Sequence, residues 1–214
     1  MGIGENLRDS FDYALEGVIG KWMRWIILLI CTIIFPLIYG YTLRIMKGTT
    51  PAPEVEGYLS LFIDGIKMMI ISLVYMIIPL IILFLSGGSA LLGMVADGGA
   101  GSMALLGAAL GGLIIFFIVA FIFSLITTIA MVRFARTGAM GEAFNFGEIF
   151  GTIGRIGWIS YIIALIVLWV VIAVIEMVLM WIPVVGGIIL FIVMPILVIF
   201  SARYFSLLYD EGAA

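Results

Sequence analysis

Glu176 is the one acidic residue within a long apolar run of this chain, in the stretch WVVIAVIEMVLMW. An ionisable group inside a membrane helix is costly, and where it occurs it commonly binds a cation or relays a proton. Glu176 also lies about 28 Å along a helix from Gly157, beside Trp181 and Pro183, where a carboxylate can reach water at a membrane surface. Both interpretations stay open, and Glu176 is the candidate intramembrane residue.

Other patterns that carry chemistry are missing from the sequence. Histidine is absent and Cys31 is the single cysteine, so a disulfide or a thiolate metal cluster within one chain is excluded. There is no nucleophile–base pair, no paired intramembrane carboxylate and no phosphate-binding loop. Asp64 and Lys67 stand three residues apart on a predicted helix and form at most a weak surface pair. We therefore expect no enzyme, with no catalytic residue, no cofactor and no metal.

Composition places the chain in a membrane. Hydrophobic residues make up 65 % of it and charged residues 11 %, whereas soluble proteins are roughly half apolar and about a quarter charged. A soluble fold of 214 residues has too little interior for this much apolar surface. The net charge of −3 comes with no basic patch dense enough for nucleic acid. The expected partners are membrane lipids and no nucleic acid.

The apolar runs are continuous, which predicts an all-α, polytopic membrane protein with four or five transmembrane helices. We expect one membrane domain over residues 1–214. Amphipathic patterns predict two helices that lie in the membrane interface. The predicted interfacial helices are 5–22 and 141–156, and the predicted spans are 68–85, 103–132, 158–181 and 188–203.

The cations of the short loops predict the orientation. Lys and Arg collect in short loops on the cytoplasmic side. Loops 44–67 and 133–155 carry three cations each, and loops 86–103 and 182–187 carry none. The four spans then orient without conflict, with a cytoplasmic C-terminus and several crossings of the plasma membrane. The cations near the ends of inward-running segments either fix this orientation or bind lipid headgroups, and they are Arg44, Arg133, Arg136 and Arg203.

The apolar segment 25–43 is ambiguous, because Pro36 and Gly40 interrupt it. As a fifth span, it places the N-terminus outside, with seven cations inside and three outside. As a re-entrant hairpin that turns at Pro36, it keeps all ten cations inside. The charge bias favours the hairpin, and the single span is the simpler alternative.

Residues 10–26 resemble residues 143–159 in their aromatic spacing, which indicates an internal repeat of interfacial helix, outward segment and inward segment. Repeats build many transporter folds. Small residues also recur at helical spacing, where they let helices approach closely. We expect these to serve helix packing, with a hinge as the alternative for the second group: Gly107 and Gly111, then Gly147, Gly151 and Gly154.

Several motifs point to one family. They are GYTLRIMKG from Gly40, FIDGIK from Phe62, RTGAMGEAFNFGEI from Arg136 and SARYFSLLY from Ser201. Over nearly its whole length the chain resembles the family called domain of unknown function 4013, small multi-span membrane proteins of archaea and some bacteria. The resemblance implies a membrane location and this topology, and it carries no activity.

These patterns favour a non-enzymatic membrane scaffold or organising protein, present as a homo-oligomer that contacts lipids. The alternative is a transporter or channel subunit with a site near Glu176. The helix-breaking residues Pro36, Pro79 and Pro195 support this alternative. A third interpretation, an accessory subunit that binds other membrane proteins, is not separated from these by the sequence.

Overall fold

The structure is a computed structural model that describes residues 2–88, 92–93, 95, 103–183 and 185–213. Its main helices are numbered in chain order. They are α1 (Ile3–Val18), α2 (Trp22–Ile33), α3 (Phe35–Met46), α4 (Tyr58–Leu83), α5 (Met103–Thr137), α6 (Phe146–Ile156), α7 (Trp158–Met180) and α8 (Gly186–Ala213). A π-helical turn, Phe84–Gly88, follows α4, and a 3₁₀ turn, Met140–Phe144, precedes α6.

Four of the helices, α4, α5, α7 and α8, are long and apolar enough to cross a membrane. Each overlaps one of the four spans expected from hydropathy, and the all-α multi-span class is confirmed. Two of them extend well beyond the apolar run. Helix α4 begins ten residues before the expected span, and α8 continues ten residues past it, because the polar residues there keep a helical pattern.

The chain forms two compact units. The larger unit comprises Met1–Met69 and Thr128–Ala214, and the smaller unit comprises Ile70–Thr127. Buried side chains of the smaller unit include Ile71 and Leu125. The larger unit contains every candidate residue except Gly107 and Gly111. The expectation of one membrane domain stays a prediction.

Helix α8 is the centre of the larger unit, because α1, α2, α3, α6 and α7 all pack against it. Tyr204 shows how α8 is fixed. Its side chain is fully buried, and its hydroxyl donates to the carbonyl oxygen of Ala164 in α7 at 3.0 Å. A buried tyrosine needs such an acceptor for its hydroxyl. The positions of the shorter helices therefore depend on α8.

The segment 25–43 consists of two short helices. Helix α2 ends at Ile33 and α3 begins at Phe35, so the break falls just before Pro36. Proline cannot donate the backbone hydrogen bond that a continuous helix needs, and it disfavours helical backbone in the preceding residue.

The outer ends of α2 and α3 meet the same loop. Arg24 near the start of α2 donates to the carbonyl oxygen of Ala52 at 3.3 Å. The Tyr41 hydroxyl in α3 donates to the carbonyl oxygen of Pro53 at 2.9 Å. A straight helix over both segments would hold Arg24 and Tyr41 roughly 25 Å apart. The segment is therefore a helical hairpin and not one continuous helix.

Helix α1, the first of the two expected interfacial helices, packs against α8. It covers Ile3–Val18 and ends before Gly20, which has a φ of 76°. Asn6, Ser10 and Ala14 are buried against the protein, whereas Phe11 is half-exposed. Helix α1 docks on α8 through this face, which also includes the buried Tyr13 and Val18. The placement of its other face in the membrane interface stays a prediction.

The second interfacial helix, expected over 141–156, is divided at Asn145. The side-chain oxygen of Asn145 accepts a hydrogen bond from the backbone N–H of Glu148 at 3.4 Å. An asparagine in this position caps the start of a helix. Helix α6 ends at Gly157, whose φ of 95° few other residues adopt.

Candidate functional site

The arginines expected to fix orientation or bind lipid headgroups all bind groups of the protein. Arg44, near the end of α3, donates to the carbonyl oxygen of Glu56 at 2.7 Å and to the hydroxyl oxygen of Ser60 at 2.8 Å. Both acceptors lie at or just before the start of α4. Arg44 therefore joins the hairpin to the next helix, and its binding of lipid stays a prediction.

Arg203 joins α8 to α1. Its Nε donates to a carboxylate oxygen of Asp9 at 2.8 Å, and its guanidinium lies 4.9 Å from the centre of the Tyr13 ring. A cation over an aromatic face is attracted by the ring. Burial raises the pKa of Tyr13 above its ordinary value, so this ring stays a neutral phenol beside Arg203.

Arg133 and Arg136, at the end of α5, bind two different parts of the chain. Arg133 pairs with Glu142, with Nε 2.8 Å from Oε2, and more loosely with Glu148 at 3.5 Å. Arg136 pairs with Asp210 of α8 at 2.8 Å. The motif RTGAMGEAFNFGEI thus contains residues that fold onto each other, and onto the preceding Arg133.

Pairing with Arg133 changes the pKa of the Glu142 carboxyl. Its hydrogen bond with Arg133 holds the pKa of Glu142 below its ordinary value of 4.5. The amide of Asn145 also donates to the Glu142 carboxylate, at 3.3 Å. The carboxylate is therefore charged at neutral pH and connects α5 to the turn before α6.

Two arginines that sequence reasoning did not select make similar contacts. The Arg24 side chain is 5 % exposed, donates to the carbonyl oxygens of Gly17 and Ala52, and pairs with Glu54. Arg155 of α6 donates to the carbonyl oxygen of Gly212. No local sequence signal identifies these partners, which lie 7 to 57 residues away. We call Arg24, Arg44, Arg133, Arg136, Arg155 and Arg203 the arginine clamps.

Glu176 lines a cavity in the larger unit. The cavity has a volume of about 350 Å³ and lies between the α2–α3 hairpin, α7 and α8. Glu176 is half-buried there. The sequence placed it either within the membrane or at its surface, and the structure places it against the hairpin that Pro36 creates.

The cavity wall is mostly hydrocarbon, with few polar groups. Its polar residues are Tyr39, Glu176 and three hydroxyl residues, Thr32, Thr42 and Ser201. Each of these three hydroxyls donates to the carbonyl oxygen four residues earlier, at 2.9, 2.9 and 2.7 Å. Within the described part of the chain, the Glu176 carboxylate makes no hydrogen bond or ion pair.

The glycines expected to pack helices lie in open surroundings. A Cβ added at Gly107, Gly111 or Gly154 would meet no atom within 4 Å among the described residues. At Gly147 and Gly151 it would meet only the side chains of Asn145 and Arg155. Their role in packing stays a prediction.

Two other glycines do allow a close helix crossing. A Cβ added at Gly40 of α3 would overlap the carbonyl oxygen of Leu61, and one at Gly65 of α4 would overlap that of Pro36. Both glycines belong to the motifs GYTLRIMKG and FIDGIK. Their place in those motifs could have indicated a close helix crossing. From the sequence, the motifs served only to indicate the family resemblance.

Metal-binding constellations are not found in the residues that the structure describes, where no three acidic or cysteine side chains converge on one point. Cys31 is a buried free thiol. Among the described residues, the geometry offers structural ion pairs and a cavity with an unpaired carboxylate.

Four long apolar helices and two amphipathic helices tied by ion pairs define a polytopic helical membrane protein. The chain belongs to the family described as protein of unknown function (DUF4013), whose model matches residues 25–184. The resemblance drawn from the motifs is thereby confirmed. No curated protein and no solved structure matches the chain.

Proposed function

We propose that this protein is a non-enzymatic membrane scaffold that works as a homo-oligomer and organises the lipids around it. An exposed row of aromatic side chains carries the proposal. The ring centres of Phe146 and Phe150 are 6.3 Å apart, and those of Phe150 and Trp158 are 5.9 Å apart. All three side chains are exposed. Aromatic side chains of this kind settle at the headgroup level of a bilayer.

Helix α6, which presents Phe146 and Phe150 of this row, is held from its other face. Ile149 and Ile153 of α6 are fully buried, and Arg155 binds the carbonyl oxygen of Gly212 at the end of α8. An interfacial helix fixed in this way keeps its aromatic face at one depth. This supports a role in ordering lipids on the cytoplasmic side of the plasma membrane.

Open glycine faces support the oligomer. Gly107 and Gly111 lie one helical turn apart on α5, and a Cβ added at either would meet no described atom within 4 Å. Such spacing lets two helices approach closely in a bilayer, where packing and not the hydrophobic effect drives association. We assign this face to a second copy of the chain.

The mass of the purified protein with its bound lipid tests the proposal of an oligomeric scaffold. The purified protein in mild detergent should be a defined oligomer with retained lipid, as read by native mass spectrometry. Replacing Gly107 and Gly111 by Leu should give monomers, and replacing Phe146 and Phe150 by Ser should release lipid. Replacing the exposed Phe117 of α5 by Ser is the matched control and should do neither. A monomeric wild type without lipid would overturn the proposal.

A transporter or channel subunit is the second candidate, and the cavity at Glu176 favours it. Broken helices beside a cavity with an ionisable group are common in transporters. Cation flux into liposomes should then fall when Glu176→Gln removes the charge. Flux that is absent from the wild type, or unchanged by the substitution, would remove this candidate and leave the scaffold in place.

A further inference from the structure

The cavity at Glu176 has the size and lining of a site for an organic molecule. Its volume of about 350 Å³ falls within the range of small-molecule sites, which is roughly 300–1,000 Å³. Eight of its thirteen lining residues have hydrocarbon or thioether side chains, contributed by the hairpin, α7 and α8. An occupant therefore needs an apolar body.

The polar part of the wall offers acceptors and few donors. The hydroxyl hydrogens of Thr32, Thr42 and Ser201 are already used in bonds to their own helices. Their oxygens keep lone pairs. Together with the Glu176 carboxylate, these groups favour an occupant that donates hydrogen bonds and carries positive charge. None of the lining residues is a lysine or an arginine that could neutralise Glu176.

A bare metal ion does not suit this wall. Calcium takes about six to eight oxygen ligands, and magnesium keeps several waters in a polar site. The cavity has one carboxylate among mainly apolar side chains. Three of its lining residues are aromatic, Phe35, Tyr39 and Phe205, and aromatic faces attract organic ammonium groups.

We propose that the cavity between the α2–α3 hairpin, α7 and α8 binds an amphiphilic organic cation, whose ammonium group meets Glu176 and whose hydrocarbon part fills the apolar wall. The inference stands on the cavity and does not depend on oligomerisation. It also names a ligand class for the site on which the transport candidate rests. Binding without flux would remove that candidate and leave this inference intact.

Photochemical labelling tests the site. The probe is a medium-chain alkylamine that carries a diazirine, added to the full-length protein in nanodiscs, with crosslinked residues mapped by mass spectrometry. Labelling should fall on the cavity wall. An alkylammonium competitor should suppress it at least about tenfold more effectively than the alcohol or carboxylate of equal chain length, since a charge-assisted hydrogen bond is stronger than a neutral one and a carboxylate is repelled by Glu176.

Substitutions separate charge from shape. Glu176→Gln should weaken alkylamine labelling about tenfold, whereas Glu16→Gln, an exposed acid on α1, should leave it unchanged. Val198→Phe should fill the cavity and abolish labelling altogether. If Glu176→Gln failed to fold, competition on the wild type would decide. Equal suppression by amine and alcohol, or full labelling of a folded Glu176→Gln protein, would overturn the inference.

The lipids that copurify with the wild type and with Glu176→Gln show whether the bound cation is a membrane lipid or a free amine. If Glu176→Gln depletes phospholipids with ammonium headgroups, the natural occupant is a membrane lipid. If alkylamine labelling weakens while the copurified lipids stay the same, the occupant is a free amphiphilic amine. Both results support the site and differ only in the source.

Discussion

Arg24 carries a positive charge into the interior of the larger unit. Its side chain is 5 % exposed, and it binds the carbonyl oxygens of Gly17 and Ala52 as well as the Glu54 carboxylate. A buried charge is tolerated only where hydrogen bonds replace the lost water. Arg24 thereby holds the end of α1, the start of α2 and the loop before α4 together.

We expect Arg24→Met to lower the free energy of unfolding by about 2 kcal/mol, because it leaves buried carbonyl oxygens without donors. The control is Arg8→Met. Arg8 is 86 % exposed and pairs with Asp12 at 3.8 Å, and a surface pair of this kind contributes less than about 1 kcal/mol. Thermal unfolding in detergent, followed by circular dichroism, measures both. Equal losses of unfolding free energy in the two variants would contradict the role of Arg24 in holding α1, α2 and the loop before α4 together.

The Arg133–Glu142 pair predicts a dependence of stability on pH. The folded-state pKa of Glu142 is lowered from 4.5 by its hydrogen bond with Arg133. The pair therefore stabilises the fold above about pH 4.5, and this contribution is lost as the pH falls through the folded-state pKa. The wild type should be more stable than Glu142→Gln at pH 7, and the difference should shrink in acid. A difference that stays constant down to pH 3 would exclude the pair as its cause.

At the residue scale, sequence reasoning could find the cations but not their partners. Arg203 and Asp9 are 194 residues apart, and Arg136 and Asp210 are 74 apart. Charge counting gives the side on which an arginine lies. It contains no information on which acceptor the fold brings to it, because that depends on the packing of α8.

Among the elements, the crossing of α3 and α4 depends on two glycines. The carbonyl oxygens of Leu61 and Pro36 occupy the places where side chains of Gly40 and Gly65 would be. Contacts between such glycine Cα atoms and carbonyl oxygens recur where helices approach closely. The hairpin can therefore pack against α4 only at this register.

Gly65→Ala should lower the free energy of unfolding by about 3 kcal/mol or more, since the added methyl group meets backbone and cannot be accommodated by a side-chain rotation. Gly154→Ala is the matched control in α6, where a Cβ meets nothing within 4 Å among the described residues. Alanine should there stabilise the helix by up to about 1 kcal/mol. Unfolding midpoints measure both, and a neutral Gly65→Ala would show that the crossing is looser.

The long helices could be expected from hydropathy, because twenty apolar residues have few other solutions. The break of 25–43 was visible at Pro36, and the charge count favoured the hairpin that the structure has. The division of the second interfacial helix at Asn145 was not expected. A capping asparagine is a local signal that could mark this boundary.

At the level of the whole molecule, α1 lies beside the C-terminal part of α8. Asp9 binds Arg203, and Asn6 donates to Glu211 at 3.0 Å. Helix α8 has 28 residues, about 42 Å at the usual rise. Its start at Gly186 therefore lies at the far end of the unit from α1.

Cysteine labelling should show this arrangement in sealed vesicles. In a Cys31→Ser background, an impermeant maleimide should reach cysteines at Glu5 and Ala213 from one side, and a cysteine at Val185 from the other. All three positions are exposed. Labelling of Glu5 from the same side as Val185 would mean that α1 and the end of α8 are separated by the membrane, against the contacts of Asp9.

The bond between Asp9 and Arg203 also sets an order of events during synthesis. A ribosome adds about 5–20 residues per second, so Arg203 follows Asp9 by roughly 10 to 40 s. Through that interval α1 has emerged while the helix that receives its polar face does not yet exist. The buried Asn6 and Ser10 must stay in contact with water or headgroups until then. Docking of α1 therefore waits until α8 has been made.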